Sequence, residues 1–220
     1  LVHAAAELHD IPVALHLDHA KSIDEIKRAI DCGFTSVMID GSQLPFEENA
    51  ALTRAAVEIA HPLGIPVEAE LGYVGGANLD ETDFLESTLT LPEEVKRFVA
   101  ETEVDALAVS IGTSHGVYRS LPNLDIERLK ELDAASTVPL VLHGGSGTPD
   151  DQIQDAARNG ITKLNIYADN RIAMYRGLKE AAARFERPDP LPRDLFAPIC
   201  KRIGETVSEK TKLLYADGRY

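Results

Sequence analysis

Three histidines, His19, His115 and His143, each follow a short apolar run and stand among small polar residues: Asp18-His19, Gly112-Thr113-Ser114-His115-Gly116 and His143-Gly144-Gly145-Ser146-Gly147. Three neutral imidazoles with one position left open form the ligand set of a catalytic Zn²⁺. The separations between them match no local zinc motif. The chemistry therefore needs a fold that gathers distant segments; without one, each ring simply caps a strand or bonds a backbone carbonyl. Asp18, directly before His19, could move protons to and from a substrate, or support an imidazole. Asp40 could hydrogen-bond the site or a second cation. Glu70 is a further carboxylate near the metal, and Glu68 shares its strand face. Gly144-Gly145-Ser146-Gly147 lets a backbone approach an anion just ahead of a helix start, where N–H groups are free. Asn165 faces the same place.

The elements that must position these groups alternate along the chain. Apolar runs at 11–17, 36–39, 65–71, 106–111, 139–142 and 163–166 fit parallel strands buried on both faces. Amphipathic stretches at 22–32, 47–61, 92–102, 124–136 and 150–159 separate them. The first of these opens with Ser22 and Glu25, a capping box, and closes at Gly33. Such alternation implies right-handed βαβ units. An open doubly wound sheet could use six strands, whereas a closed (β/α)8 barrel needs eight. Either way, catalytic groups belong at the carboxyl ends of the strands. Residues 1–8 read as the end of a helix, and 195–215 as one or two helices after the last strand.

Composition narrows the function classes. The 220 residues carry 22 Lys and Arg against 36 Asp and Glu, a net charge of −14. That excludes a nucleic-acid phosphate-backbone binder and an anionic membrane surface as partners. It permits a small anionic substrate held by a local cluster of N–H groups. Cys32 and Cys200 are too few for a disulfide scaffold, and no apolar run is long enough to span a bilayer; a cytoplasmic setting is expected.

Six motifs together resemble the class II, zinc-dependent ketose-bisphosphate aldolases, the fructose- and tagatose-bisphosphate aldolase family. They are Ala-Leu-His-Leu-Asp-His-Ala at 14–20, Ser-Val-Met-Ile-Asp-Gly-Ser at 36–42, Val-Glu-Ala-Glu-Leu-Gly at 67–72, Ser-Ile-Gly-Thr-Ser-His-Gly at 110–116, Leu-Val-Leu-His-Gly-Gly-Ser-Gly at 140–147 and Lys-Leu-Asn-Ile at 163–166. The resemblance implies an α/β (β/α)8 TIM barrel lacking its first two strands in this chain. It implies a single domain over 1–220, with C-terminal helices from about residue 195. It assigns His19, His115 and His143 as zinc ligands, with Glu70 approaching the metal, and Asp18 as the acid/base at the cleaved bond. Gly116, Gly144, Ser146 and Asn165 would cradle the phosphate and backbone of dihydroxyacetone phosphate, supported by a monovalent cation (Na⁺ or K⁺). A homo-oligomer, dimer or tetramer, is expected. Two positions depart from the family pattern: Ala168 stands where a phosphate-binding hydroxyl is usual, and the loop after Gly75-Gly76 offers its first acids only at Asp80 and Glu81. The implied reaction is reversible cleavage of a ketose 1,6-bisphosphate, with no Schiff-base lysine; Lys163 reads as lying at a strand start. A zinc hydrolase or epimerase on the same barrel and a non-catalytic truncated barrel are the other readings.

Overall fold

The computed structural model describes residues 1–75, 88–114, 122–184 and 189–219. Among these, six strands alternate with helices: α1 (Val2–Ala6), β1 (His16–Ala20), α2 (Ile23–Asp31), β2 (Ser36–Ile39), α3 (Phe46–Ala60), β3 (Val67–Leu71), α4 (Pro92–Thr102), β4 (Ala106–Val109), α5 (Ile126–Ala135), β5 (Leu140–Leu142), α6 (Asp150–Arg158), β6 (Ile161–Leu164), α7 (Ala168–Arg184) and α8 (Pro192–Leu213). The strands pair in parallel and in chain order, β1 to β6. A doubly wound sheet would reverse its order at a switch point. This one does not, so it is a stretch of barrel wall.

The wall curls. Flat, six strands would separate β1 from β6 by about 24 Å at the usual interstrand spacing. Yet Asn165, one residue past β6, donates from Nδ2 to Asp18 Oδ1 on β1 at 3.2 Å. The two faces of this half-barrel differ in chemistry. Val67, Ala69 and Leu71 on β3, Leu107 and Val109 on β4, and Leu140 and Leu142 on β5 pack outward against Ile26, Val57, Phe98, Leu129 and Leu132 of the helices. The alternate residues Met38, Glu68, Glu70, Ala108 and Val141 are buried outside that cluster, on the concave face. β3 thus breaks the expectation of an uninterrupted apolar strand by carrying two buried carboxylates.

Boundaries moved where partners were missing. The first strand begins at His16 rather than 11, because β2 starts at Ser36 and pairs with His16, leaving Ile11 and Val13 without a neighbour and exposed. The last strand is Ile161–Leu164, with Ile161 paired to Leu140. Lys163 is therefore near that strand's end and not its start, which corrects the reading from the sequence. α2 has its capping box: Glu25 N donates to Ser22 Oγ at 3.3 Å, and Ser22 N to Glu25 Oε2 at 3.2 Å.

Helix α7 runs against the usual amphipathic pattern. Its buried residues are the small ones, Ala168, Ala173, Gly177 and Ala181, while Ile172, Met174, Tyr175 and Leu178 face outward. The small residues let α8 approach closely: a Cβ on Gly177 would lie 2.6 Å from Ile199 Cα. α8 is one continuous helix of 22 residues, although it carries Pro198.

Candidate active site

The carboxyl ends of β1, β2, β3, β5 and β6 contribute to one cluster. On β1 the ladder shifts between Leu17 and Ala20, and His19 adopts a left-handed backbone with φ 50°. In a regular strand Asp18 and His19 would point to opposite faces. The irregularity brings both toward the same opening, with His19 Nε2 4.0 Å from Asp18 Oδ1.

Each of two histidines is held by a carboxylate on one nitrogen. His19 Nδ1 lies 2.7 Å from Asp40 Oδ2, beyond β2. Burial works against ionising Asp40, but hydrogen bonds from His19, Lys21 and Ser42 overcome it and hold the carboxyl well below its ordinary value. Lys21 Nζ donates to Asp40 Oδ2 at 2.6 Å and Ser42 Oγ to Oδ1 at 2.7 Å. An ionised carboxylate only accepts, so His19 Nδ1 carries the hydrogen and Nε2 is the nitrogen on the side of Asp18. His143, fully buried just past β5, is held from the other side: its Nε2 lies 2.9 Å from Glu68 Oε1. Burial of Glu68 favours its neutral form, yet His143 and Lys163 hold its carboxyl down at about 2. By the same argument, His143 Nε2 donates and Nδ1 faces the cluster. The two rings meet edge to face, centroids 4.7 Å apart.

Glu70 lies against the same point. Its Oε1 accepts from Val74 N at 3.2 Å. Its Oε2 is buried and lies 3.2 Å from His143 Nδ1 and 3.9 Å from His19 Nδ1. Burial disfavours a charged His143, but Glu68 and Glu70 outweigh it and push the ring up to about 9. A proton thus occupies the nitrogen that faces Glu70. Metal ligands must be deprotonated, and a cation there would take the proton's place. Asp18, His19 and His143 offer ligand atoms all within 4.8 Å of one another. Imidazoles oriented by carboxylates, with a further buried carboxylate oxygen beside them, are a donor set that fits a divalent cation such as zinc.

The glycine-rich turn after His143 is sterically required. Gly144 has φ 70°, and a Cβ there would meet Ser114 O at 2.5 Å; at Gly145 it would meet Leu164 Cδ1 at 2.6 Å. Ser146 is buried, and its Oγ accepts from Tyr167 N at 3.1 Å and Asp169 N at 3.2 Å, which ties the turn to the start of α7. Asn165 reaches Asp18, whose side chain is about half exposed at the opening.

A sequence model described as fructose-bisphosphate aldolase class-II matches residues 1–219. The chain belongs to the class-II fructose-bisphosphate aldolase family. Fructose-bisphosphate aldolases of Staphylococcus aureus and Staphylococcus epidermidis are 42% identical to it over 211 residues, covering 93% of this chain and 72% of theirs. The crystal structure of the YdjI aldolase from Escherichia coli K12 superposes with a TM-score of 0.85 at 40% identity, over 98% of this chain and 74% of that one. The fold is shared with the fructose-bisphosphate aldolase of Campylobacter jejuni, at a TM-score of 0.77 and 24% identity. The chain is accordingly an aldolase, a carbon–carbon lyase.

Of the site residues expected from this family's motifs, Asp18, His19, Asp40, Glu70, His143 and Asn165 come together. Gly144 and Ser146 form the adjoining turn. His115, Gly116, Asp80 and Glu81 lie outside the described residues. Two further participants join them: Glu68, a paired buried acid on the face it shares with Glu70, which partners His143, and Lys163, whose Nζ donates to Glu68 Oε2 and to Asn165 Oδ1, both at 2.8 Å. The signal for them was spacing. Glu68 with Glu70 and Lys163 with Asn165 are each two apart on a strand, and so share its inward face. Among the described residues, no helix is long and apolar enough to cross a membrane.

Proposed function

We propose that this aldolase catalyses the reversible, zinc-dependent cleavage of a ketose 1,6-bisphosphate, fructose or tagatose, to dihydroxyacetone phosphate and glyceraldehyde 3-phosphate. The observation that supports it best is the pair His19 and His143, each backed by a buried carboxylate and offering ligand atoms that lie, with one from Asp18, within 4.8 Å of one another. In this reading His19, His115 and His143 would hold Zn²⁺, with Glu70 as a further ligand. The cation would polarise the ketone and stabilise the negative charge that develops on cleavage.

The chain's own groups do the rest. Asp18 is exposed enough to meet substrate and accepts the C4 hydroxyl proton when the C3–C4 bond breaks. Asn165 donates to Asp18 and fixes where that carboxylate points. Gly116, Gly144 and the Ser146 turn receive the phosphate. Binding the phosphate away from the reacting carbons supplies the energy that orients the carbonyl. A sodium or potassium ion, as in the family the motifs resemble, would support this cradle. Lys163 serves no Schiff base: its ammonium is already engaged by Glu68 and Asn165. The curled six-strand wall is read as part of a (β/α)8 barrel, one domain over the chain, working as a cytoplasmic homo-oligomer.

The test is an assay of fructose and tagatose 1,6-bisphosphates with zinc present. Two three-carbon phosphates are expected, one of them dihydroxyacetone phosphate, with activity abolished by a chelator and restored by zinc. Borohydride added with substrate should leave activity intact. A product that has gained water without breaking a carbon–carbon bond, or trapping by borohydride, would overturn this reading.

A further inference from the structure

We infer that Lys163 is a positioning residue that sets the polarity of both halves of the site, the histidine that holds metal and the carboxylate that handles protons. The inference rests on the reading of His143 and Asp18 given above. Lys163 projects from β6 onto the concave face, where its Nζ contacts Glu68 Oε2 from β3 and Asn165 Oδ1, each at 2.8 Å. From these two contacts run two arms. Glu68 uses its other oxygen, Oε1, to hold His143 Nε2 at 2.9 Å. Asn165 uses its other group, Nδ2, to hold Asp18 Oδ1 at 3.2 Å.

The direction of every bond follows from one chemical fact. An ammonium only donates. Facing Lys163, Asn165 must turn its carbonyl oxygen to the ammonium and its NH₂ to Asp18. Facing Lys163, Glu68 has one oxygen saturated by charge and presents the other to His143 as an acceptor. His143 Nε2 must then carry the hydrogen, which leaves Nδ1 on the side of Glu70 and His19. Without the ammonium the Asn165 amide is free to flip. Its oxygen would then oppose the Asp18 carboxylate, acceptor against acceptor, and Asp18 would lose its orientation.

His16 is also packed against this hub, with Nε2 3.7 Å from Glu68 Oε2. Burial and the nearby Lys163 ammonium both lower its pKa, so beside the lysine it adds no second cation. Among the described residues, Lys163 is the cation that contacts both arms.

A lysine that merely stabilised the fold would change melting and leave turnover alone once metal was bound. The test therefore reads turnover at full zinc occupancy, measured by elemental analysis of the same samples. Lys163→Met is expected to bind zinc about 10–100-fold more weakly, as loss of support behind a ligand histidine does. Reconstituted with zinc, it should still lose kcat by about tenfold or more, with KM for the bisphosphate little changed, because the Asp18 arm stays loose. Lys163→Arg, which keeps charge and donors, should recover most of kcat. Wild-type kcat in zinc-loaded Lys163→Met, or no recovery in an equally folded Lys163→Arg, would overturn the inference. Should Lys163→Met fail to fold, Lys163→Gln takes its place: reduced kcat at full zinc supports the inference, and wild-type kcat overturns it. His143→Ala run alongside separates the two levels. If it keeps zinc and turnover, the site reading fails whatever Lys163 does; if it is inactive while Lys163→Met is normal, only the role of Lys163 fails.

Discussion

Asp40 grips His19 at 2.7 Å while Lys21 and Ser42 grip Asp40 in turn. The imidazole is thus fixed in tautomer and rotation before any cation arrives. Asp40→Ala should therefore keep the fold and weaken zinc binding by about 10–100-fold. Competition with a metal-sensitive chelator dye measures this. Unchanged zinc affinity would show that His19 needs no such support.

Asp18 stands at the opening and contacts Asn165 rather than the buried carboxylates. Asp18→Asn should retain zinc and lose about 10²–10⁴-fold in kcat, the usual weight of a proton-transfer group. Zinc content and turnover on one preparation separate the two effects. Near-normal cleavage by the zinc-loaded variant would remove Asp18 from the proton-transfer role.

Metal removal should also be legible without activity, through pH. In the metal-free protein Glu68 has its carboxyl lowered from 4.5 to about 2, so its contribution is present above 4.5 and is lost as pH falls through about 2. Asp40 shifts the same way. His143 is raised from 6.5 to about 9; its contribution is full below 6.5 and is lost as pH rises through about 9. The melting temperature of metal-free protein should peak between roughly pH 4.5 and 6.5 and decline on both sides. Zinc should remove the alkaline decline, because it replaces the proton on His143. A flat metal-free profile from pH 4 to 9 would contradict the coupling of His143 to the two glutamates.

Gly177 sits inside a helix, where alanine ordinarily stabilises by about 1 kcal/mol. Here the added methyl would come within 2.6 Å of Ile199 backbone. Gly177→Ala should instead destabilise, on the order of 1–3 kcal/mol, lowering the melting temperature by about 2–4 °C per kcal/mol. A rise in melting temperature would mean that α7 and α8 are not packed as described.

What the sequence made legible was whatever a single rule controls. Ser22 and Glu25 define a helix start by themselves, and α4 begins at a proline and ends at Thr102 as its pattern implies. β1 starts five residues into its apolar run, because a strand's extent depends on its neighbour, here Ser36 beside His16, and not on that run alone. α7 escaped notice because the usual pattern is inverted: its large apolar residues face outward and its small ones pack against α8. Of the residues that stand on a recognisable motif, Asp18, His19, Asp40, Glu70, His143 and Asn165 lie together in the structure. Glu68 and Lys163 act through other side chains, and only the curl that brings β3 and β6 across the concave face reveals that they touch.

The most direct measurement is anomalous diffraction at the zinc edge from zinc-loaded crystals. One strong peak is expected within about 2.0–2.1 Å of both His19 Nε2 and His143 Nδ1, with Asp40 and Glu68 still bonded to the opposite nitrogens. A peak elsewhere on the chain, or none at this cluster in protein that is catalytically active, would contradict the account.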